Sequence, residues 1–221
     1  STRTTDLDEG SIPMTAKLVG IALAAAIALW LCLPMFLKMK VLHPKQGLMW
    51  KGLGTACALA LAVAGASLAG GDRWLCVAAL ALCVAADVLL EIQFFAGMGM
   101  FIAGHVCYIA WFLRRAPLGM AQLVIFAALL LCASVLLIRW SKSIGTRMAP
   151  FTTYAMILSM MGACGIACVT GGLPGVLTAC GAAMFAVSDG MVCKEVLMPV
   201  SKTFDRNAMI LYYAAQLCFG A

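Results

Sequence analysis

The sequence predicts an all-α, polytopic transmembrane bundle of about eight helices, and three observations carry that prediction. Hydrophobic residues fill 64% of the 221 positions and charged residues 11%, against roughly half and a quarter in a soluble domain; mean hydropathy is +1.03. The apolar residues gather in long runs, which suits helices of about 20 residues and not the short alternating strands of a barrel. Charges, glycines and prolines fall between the runs, as in Gly70-Gly71-Asp72-Arg73 and Arg114-Arg115-Ala116-Pro117. Lipid offers no partner to the backbone, so each run must satisfy its own N–H and C=O groups as a helix.

Residues 1–13 read as a polar tail, and the first twelve positions do not open on a basic segment, so no cleavable signal peptide is expected and the first apolar run stays in the protein. Spans follow at about 14–37, 51–70, 74–93, 96–113, 118–139, 149–171, 174–193 and 206–221. Lys38, Lys40 and Lys45 close the first, Lys51 opens the second, and the Gly70–Arg73 turn leads into the third. Arg114 and Arg115 end the fourth; Arg139, Lys142 and Arg147 separate the fifth from the sixth; the Lys194 to Arg206 loop precedes the last. The spans form one transmembrane domain over 14–221, with no linker and no internal repeat visible in the residues.

The formal charge of +6 could suggest nucleic acid, but the basic residues sit in short loops between apolar runs, where they set topology and meet lipid headgroups. With the N-terminus outside, ten of them (Lys38, Lys40, Lys45, Lys51, Arg139, Lys142, Arg147, Lys194, Lys202, Arg206) face inward, and five (Arg3, Lys17, Arg73, Arg114, Arg115) face outward. The positive-inside rule then favours both termini outside. The eleven cysteines lie singly without a C-x-x-C pair and read as small apolar filler.

An ionisable side chain inside a span costs about 2.5–3.5 kcal/mol on insertion scales and so marks a site. Asp87, Glu91, His105 and Asp189 are the candidates. At about 1.5 Å per residue, Asp87, His105 and Asp189 fall about 8–12 Å from the inner ends of their helices, although two of those helices descend and one climbs. Tyr154, Tyr212, Tyr213 and Lys51 approach from the same side, which predicts a polar cavity open toward the inner leaflet. Asp87 and Glu91, His105 and Tyr108, and Tyr212 and Gln216 each share a helix face, and Phe94, Gly97 and Phe101 suggest a kinkable turn before His105. Hydrogen bonds that simply glue helices together are the plainer account of these residues, and an interfacial aromatic belt is the plainer account of the tyrosines. Snorkelling that anchors a helix end is an equal account of Lys51, with Glu91 solvated near the surface.

Two motifs carry a resemblance. Ala86-Asp87-Val88-Leu89-Leu90 followed by Phe94-x-x-Gly97-x-x-x-Phe101-x-x-x-His105-x-x-Tyr108, and Phe185-x-x-Ser188-Asp189-Gly190 followed by Tyr212-Tyr213-Ala214-Ala215-Gln216, resemble the YhhN (lysoplasmalogenase) family. Lys51 and Pro150-x-x-x-Tyr154 extend it. The chain departs at Ala86, where the family usually has Gly, and at Gly52, where it often has Pro. The resemblance implies an eight-helix fold in a bacterial plasma membrane or the endoplasmic reticulum. It also implies hydrolysis of the vinyl ether of choline or ethanolamine lysoplasmalogens to a fatty aldehyde and a glycerophospho-alcohol. That chemistry asks for one acid and one base, here Asp87 and Asp189, with His105 positioning water or tuning the pair. Lys51 would contact the lipid phosphate, with Glu91, Tyr108, Tyr154, Tyr212, Tyr213 and Gln216 completing the substrate site. No metal or cofactor is required. The rivals are a lipid-binding or proton-coupled transport protein using the same cavity and an intramembrane aspartyl protease, whose signatures the residues around the aspartates do not resemble.

Overall fold

The computed structural model describes residues 14–221; the expected tail over 1–13, with Arg3, lies outside the described residues. Among the described residues the chain forms eight long helices and no strand. They are α1 (Thr15–Leu42), which passes through a π-helical stretch at Ile27–Cys32, α2 (Pro44–Ala69), α3 (Arg73–Ile92) and α4 (Phe94–Leu113). After them come α5 (Met120–Arg139), α6 (Met148–Ala167), α7 (Gly172–Leu197) and α8 (Lys202–Gly220). A short helix at Ser141–Ile144 and a 3-10 turn at Gly145–Arg147 join α5 to α6.

Local chemistry explains the breaks. Pro44 opens α2 at a position where its missing N–H costs nothing. Gly70 and Gly71 both take positive φ, 63° and 62°, in the α2–α3 turn, a conformation open to glycine without strain. The side chain of Gln122 accepts from Gly119 N at 3.0 Å and donates to Pro117 O at 2.8 Å, tying down the start of α5. Ser201 Oγ accepts from Phe204 N at 3.2 Å and caps α8.

Seven helices, α1 to α7, are long and apolar enough to cross a membrane by length and composition. The eighth, α8, begins on Lys202, Asp205, Arg206 and Asn207 but buries Met209, Tyr212, Tyr213, Gln216 and Phe219. Several helices run further toward the lysine-rich end than the apolar runs suggest. α1 continues to Leu42, α7 to Leu197, and α2 starts at Pro44, so Lys51 lies two turns inside its helix instead of opening it. Lysine is a good helix former with an apolar stem, so charge marks where the chain leaves lipid and not where the helix stops.

Helices α2, α3, α4, α6, α7 and α8 pack in that order into a closed ring, with α1 against α2 and α8 and with α5 against α6. The order contains a repeat that the residues do not reveal. Within the first half α1 packs on α2, α2 on α3 and α3 on α4; within the second, α5 packs on α6, α6 on α7 and α7 on α8. The halves are joined by α4 on α6 and by α8 on α2, which are again equivalent contacts. Four helices per half is an even number, so both halves run in the same direction. The repetition is one of contact order alone, and the residues themselves show no internal repeat.

The stretch before His105 is helical without interruption, as part of α4 from Phe94 to Leu113. Gly97 serves the α3–α4 contact instead. A Cβ there would come within 2.4 Å of the Leu90 backbone, so only hydrogen lets the two helices close at this level.

Candidate functional site

Asp87 sits on the last turns of α3 and is buried. Thr55 Oγ1 on α2 donates to its carboxylate at 2.5 Å, and the Tyr212 hydroxyl on α8 donates at 2.9 Å. One turn toward the lysine-rich end, Lys51 Nζ on α2 donates to Glu91 on α3 at 3.0 Å. Thr55 and Lys51 are four residues apart, as are Asp87 and Glu91, so two facing i,i+4 pairs zip α2 to α3. Lys51 is buried to 6% exposure, which removes snorkelling as its account.

Asp189 sits on α7 with its side chain 9% exposed. The Tyr154 hydroxyl on α6 donates to it at 2.5 Å. His105 Nε2 on α4 lies 3.5 Å from the same carboxylate oxygen and 3.2 Å from the Tyr154 hydroxyl. The ring plane brings the two aspartate environments together. Phe185, one turn before Asp189 and fully buried, packs edge-on against both His105 (5.0 Å between centroids) and Tyr212 (5.5 Å). Phe101 packs against Phe185 and Tyr212. The aromatic partners of the two carboxylates therefore share one rigid wedge.

Asp87 and Asp189 line the same cavity, which encloses about 920 Å³ of space, part of it open to the surroundings. Lys51, Tyr154 and Tyr212 also line it, and the rest of the wall is mainly apolar, including Leu90, Met98, Phe101, Leu136, Leu158 and Val192. The other expected residues stand elsewhere. His105 is fully buried behind Asp189 and Glu91 lies across the Lys51 ion pair; neither is on the cavity wall. Tyr108 donates to Gln216 at 2.7 Å, and Tyr213 donates to the Lys51 carbonyl at 3.0 Å, all three deep in the core and away from the wall. These three are placed to hold α4, α8 and α2 together, because each is buried with a partner on another helix.

Energetics separate the aspartates from such glue. Placing each in a span costs about 2.5–3.5 kcal/mol on insertion scales, while an interhelical hydrogen bond in a membrane protein returns about 0.6 kcal/mol on average. The two bonds to Asp87 and the one to Asp189 leave most of that cost standing. Stability alone does not account for two carboxylates facing one apolar cavity.

Beyond Lys51 and Glu91, a second ionic group lies at the same end of the bundle. Lys40 on α1 donates to Glu195 on α7 at 2.6 Å and to Asp205 on α8 at 3.4 Å. The Lys40 and Lys51 ammoniums flank the Phe36 ring, 5.5 and 5.8 Å from its centroid. The sequence does not single out Thr55, Glu195 or Asp205. For Thr55 a signal exists, since it is a polar residue one turn from Lys51 in an otherwise apolar run. Lys40, Glu195 and Asp205 lie more than 150 residues apart along the chain for either pairing, and only folding brings them together.

The two sequence motifs thus converge: the first supplies Asp87 and His105, the second Asp189 and Tyr212, and each motif's aromatic residue bonds or contacts the other motif's aspartate. No curated protein and no solved structure matches the chain. The family model described as the YhhN family matches residues 46–221, which include both aspartates and every side chain that bonds to them. The chain is a multi-span helical membrane protein that belongs to the YhhN family.

Proposed function

We propose that this protein hydrolyses the vinyl ether bond of lysoplasmalogens, with Asp87 and Asp189 as the acid and base. The observation that carries the reading is that two anchored carboxylates face one apolar cavity which also reaches a buried lysine. In a cavity poor in water, two nearby carboxyls tend to split into one protonated and one ionised form. The protonated one donates to the β-carbon of the vinyl ether, leaving an oxocarbenium-like cation on the carbon bound to oxygen. The ionised one stabilises that cation and takes a proton from the attacking water. The resulting hemiacetal collapses to a fatty aldehyde and the free glycerol hydroxyl. Lys51 meets the lipid phosphate, Tyr154 and Tyr212 hold the carboxylates in place, and His105 positions Asp189 from behind.

Release of aldehyde from an alkenyl-lysophospholipid by the detergent-purified protein tests the reading, beside Asp87→Asn and Asp189→Asn variants checked for unchanged melting. Activity in the wild type and its loss in both variants supports it. A wild type inactive across lipid and pH, or folded variants that turn over normally, overturns it. A proton-coupled transport or lipid-binding function is the second reading, and the parallel internal repeat of the bundle favours it, because many transporters are built from such halves. Aldehyde release without any gradient separates the two.

A further inference from the structure

The two halves of the bundle carry clefts of opposite chemistry between corresponding helices. In the first half, the ends of α1, α2 and α3 enclose a cleft lined by Phe36, Lys40, Lys45, Leu48 and Glu91. In the second half, α5, α6 and α7 form an arm of the main cavity, lined by Ala133, Leu136, Ala155, Val192 and Val196. The helices correspond through the contact order, α1 with α5, α2 with α6 and α3 with α7, but the charged cleft lies nearer the lysine-rich end, since Lys45 and Leu48 precede Thr55 on α2 whereas Ala155 follows Tyr154 on α6. The first cleft presents two lysines and a glutamate; the second has no charged side chain from its three helices except Asp189. A single ion pair stands between them, since Lys51 lines the main cavity and its partner Glu91 lines the charged cleft.

We propose that the clefts take the opposite ends of one single-chain phospholipid. The phosphate and the cationic amine of the headgroup lie in the charged cleft of the first half, and the hydrocarbon chain lies in the apolar arm of the second. The reading rests on the proposed hydrolase and adds the direction in which its substrate lies and the residues that sort its two ends. Charge supports the assignment. Lys45 lines the charged cleft and makes no ion pair among the described residues, which leaves it to share the phosphate with Lys51 where the two spaces adjoin, while Glu91 offers a carboxylate to the amine. A chain turned the other way would put the headgroup among Leu136, Val192 and Val196 with no partner for its charges. The arm is partly open, since Leu136 and Val196, which line it, are 38% and 40% exposed.

Crosslinking tests this without turnover. The probe is a saturated alkyl-ether lysophosphatidylcholine, which lacks the double bond that must be protonated, carrying a diazirine at the chain terminus. A second probe carries the diazirine on the headgroup. After irradiation with the full-length protein, the chain-end probe is expected to label α5 to α7 and the headgroup probe α1 to α3, both displaced by unlabelled lysolipid. Leu136→Trp should cut chain-end labelling at least fivefold and Lys45→Glu should weaken headgroup labelling by a similar factor, with Leu136→Ala as a control that keeps the arm open. Reversed labels, or labelling that excess lipid does not displace, overturn the proposal. Aldehyde release is assayed in parallel: its absence with polarised labels removes the hydrolase and keeps the orientation, and its presence with reversed labels does the opposite.

Discussion

Asp87 and Asp189 hold equivalent places in the two halves of the bundle. Each lies on the third helix of its half, receives a hydroxyl from the second helix of the same half, Thr55 or Tyr154, and meets an aromatic side chain from the fourth helix of the other half, Tyr212 or His105. Tyr212 and Thr55 also approach each other at 3.4 Å, as His105 and Tyr154 do at 3.2 Å. The pairs differ in chemistry: Asp87 has two hydroxyl partners, whereas Asp189 has one hydroxyl and an imidazole. Equivalent frames with unequal partners are a way for a fold to give two carboxyls different tasks.

The hydroxyl anchors should matter for rate more than for fold. Tyr154 and Thr55 each orient a carboxylate that the proposed chemistry uses, so Tyr154→Phe and Thr55→Val should each lower kcat by about 10- to 100-fold in the aldehyde assay, about 1.4–2.7 kcal/mol of barrier. Their melting temperatures should stay near that of the wild type, because an interhelical bond contributes only about 0.6 kcal/mol on average. A large loss of melting temperature with unchanged kcat would assign the hydroxyls to packing.

His105 acts through Asp189. Glutamine places an amide donor near the position of Nε2, whereas alanine leaves the carboxylate with Tyr154 alone. His105→Gln should therefore recover much of the turnover that His105→Ala loses, read as kcat in the aldehyde assay at matched folding. Equal loss in both variants would show that the imidazole itself is needed.

Two glycines on α4 form an internal comparison. A Cβ at Gly97 meets the Leu90 backbone at 2.4 Å, but at Gly99 it meets nothing within 4 Å. Gly97→Ala should destabilise the bundle by about 1–3 kcal/mol or more, as overpacking does, whereas Gly99→Ala should be neutral or slightly stabilising through helix propensity. Thermal melting in detergent reads both; equal melting of the two variants would refute the close α3–α4 contact.

The Lys51–Glu91 pair should govern binding. Lys51→Met removes the buried cation on the cavity wall and is expected to raise KM several-fold with kcat kept, the pattern of lost uniform binding. Glu91→Gln leaves Lys51 without its partner and should change headgroup preference between choline and ethanolamine substrates. A lysine variant with lowered kcat and unchanged KM would place Lys51 in the chemistry instead.

Much of this was legible in the residues. Apolar runs give the helices, because lipid leaves a long apolar segment no other way to satisfy its backbone, and rare charges inside the runs point to Asp87, Asp189 and His105 because nothing cheap keeps them there. Helix ends were less legible: Lys51 and the residues around Lys194 look like boundaries by charge yet lie within helices. Tyr108, Tyr213 and Gln216 look like site residues by type, and the structure sets them in the core and off the cavity wall.

The sequence by itself determined the helical class and the apolar spans, and marked the ionisable groups within them, since burial cost and helical rise act along one chain segment at a time. Which groups meet was decided only by the tertiary structure. The duplication, the partition of roles between cavity wall and core, and the convergence of Lys40 with Glu195 and Asp205 all depend on contacts between helices far apart in the chain, and a helix surface permits many such neighbours until the ring closes and selects one set.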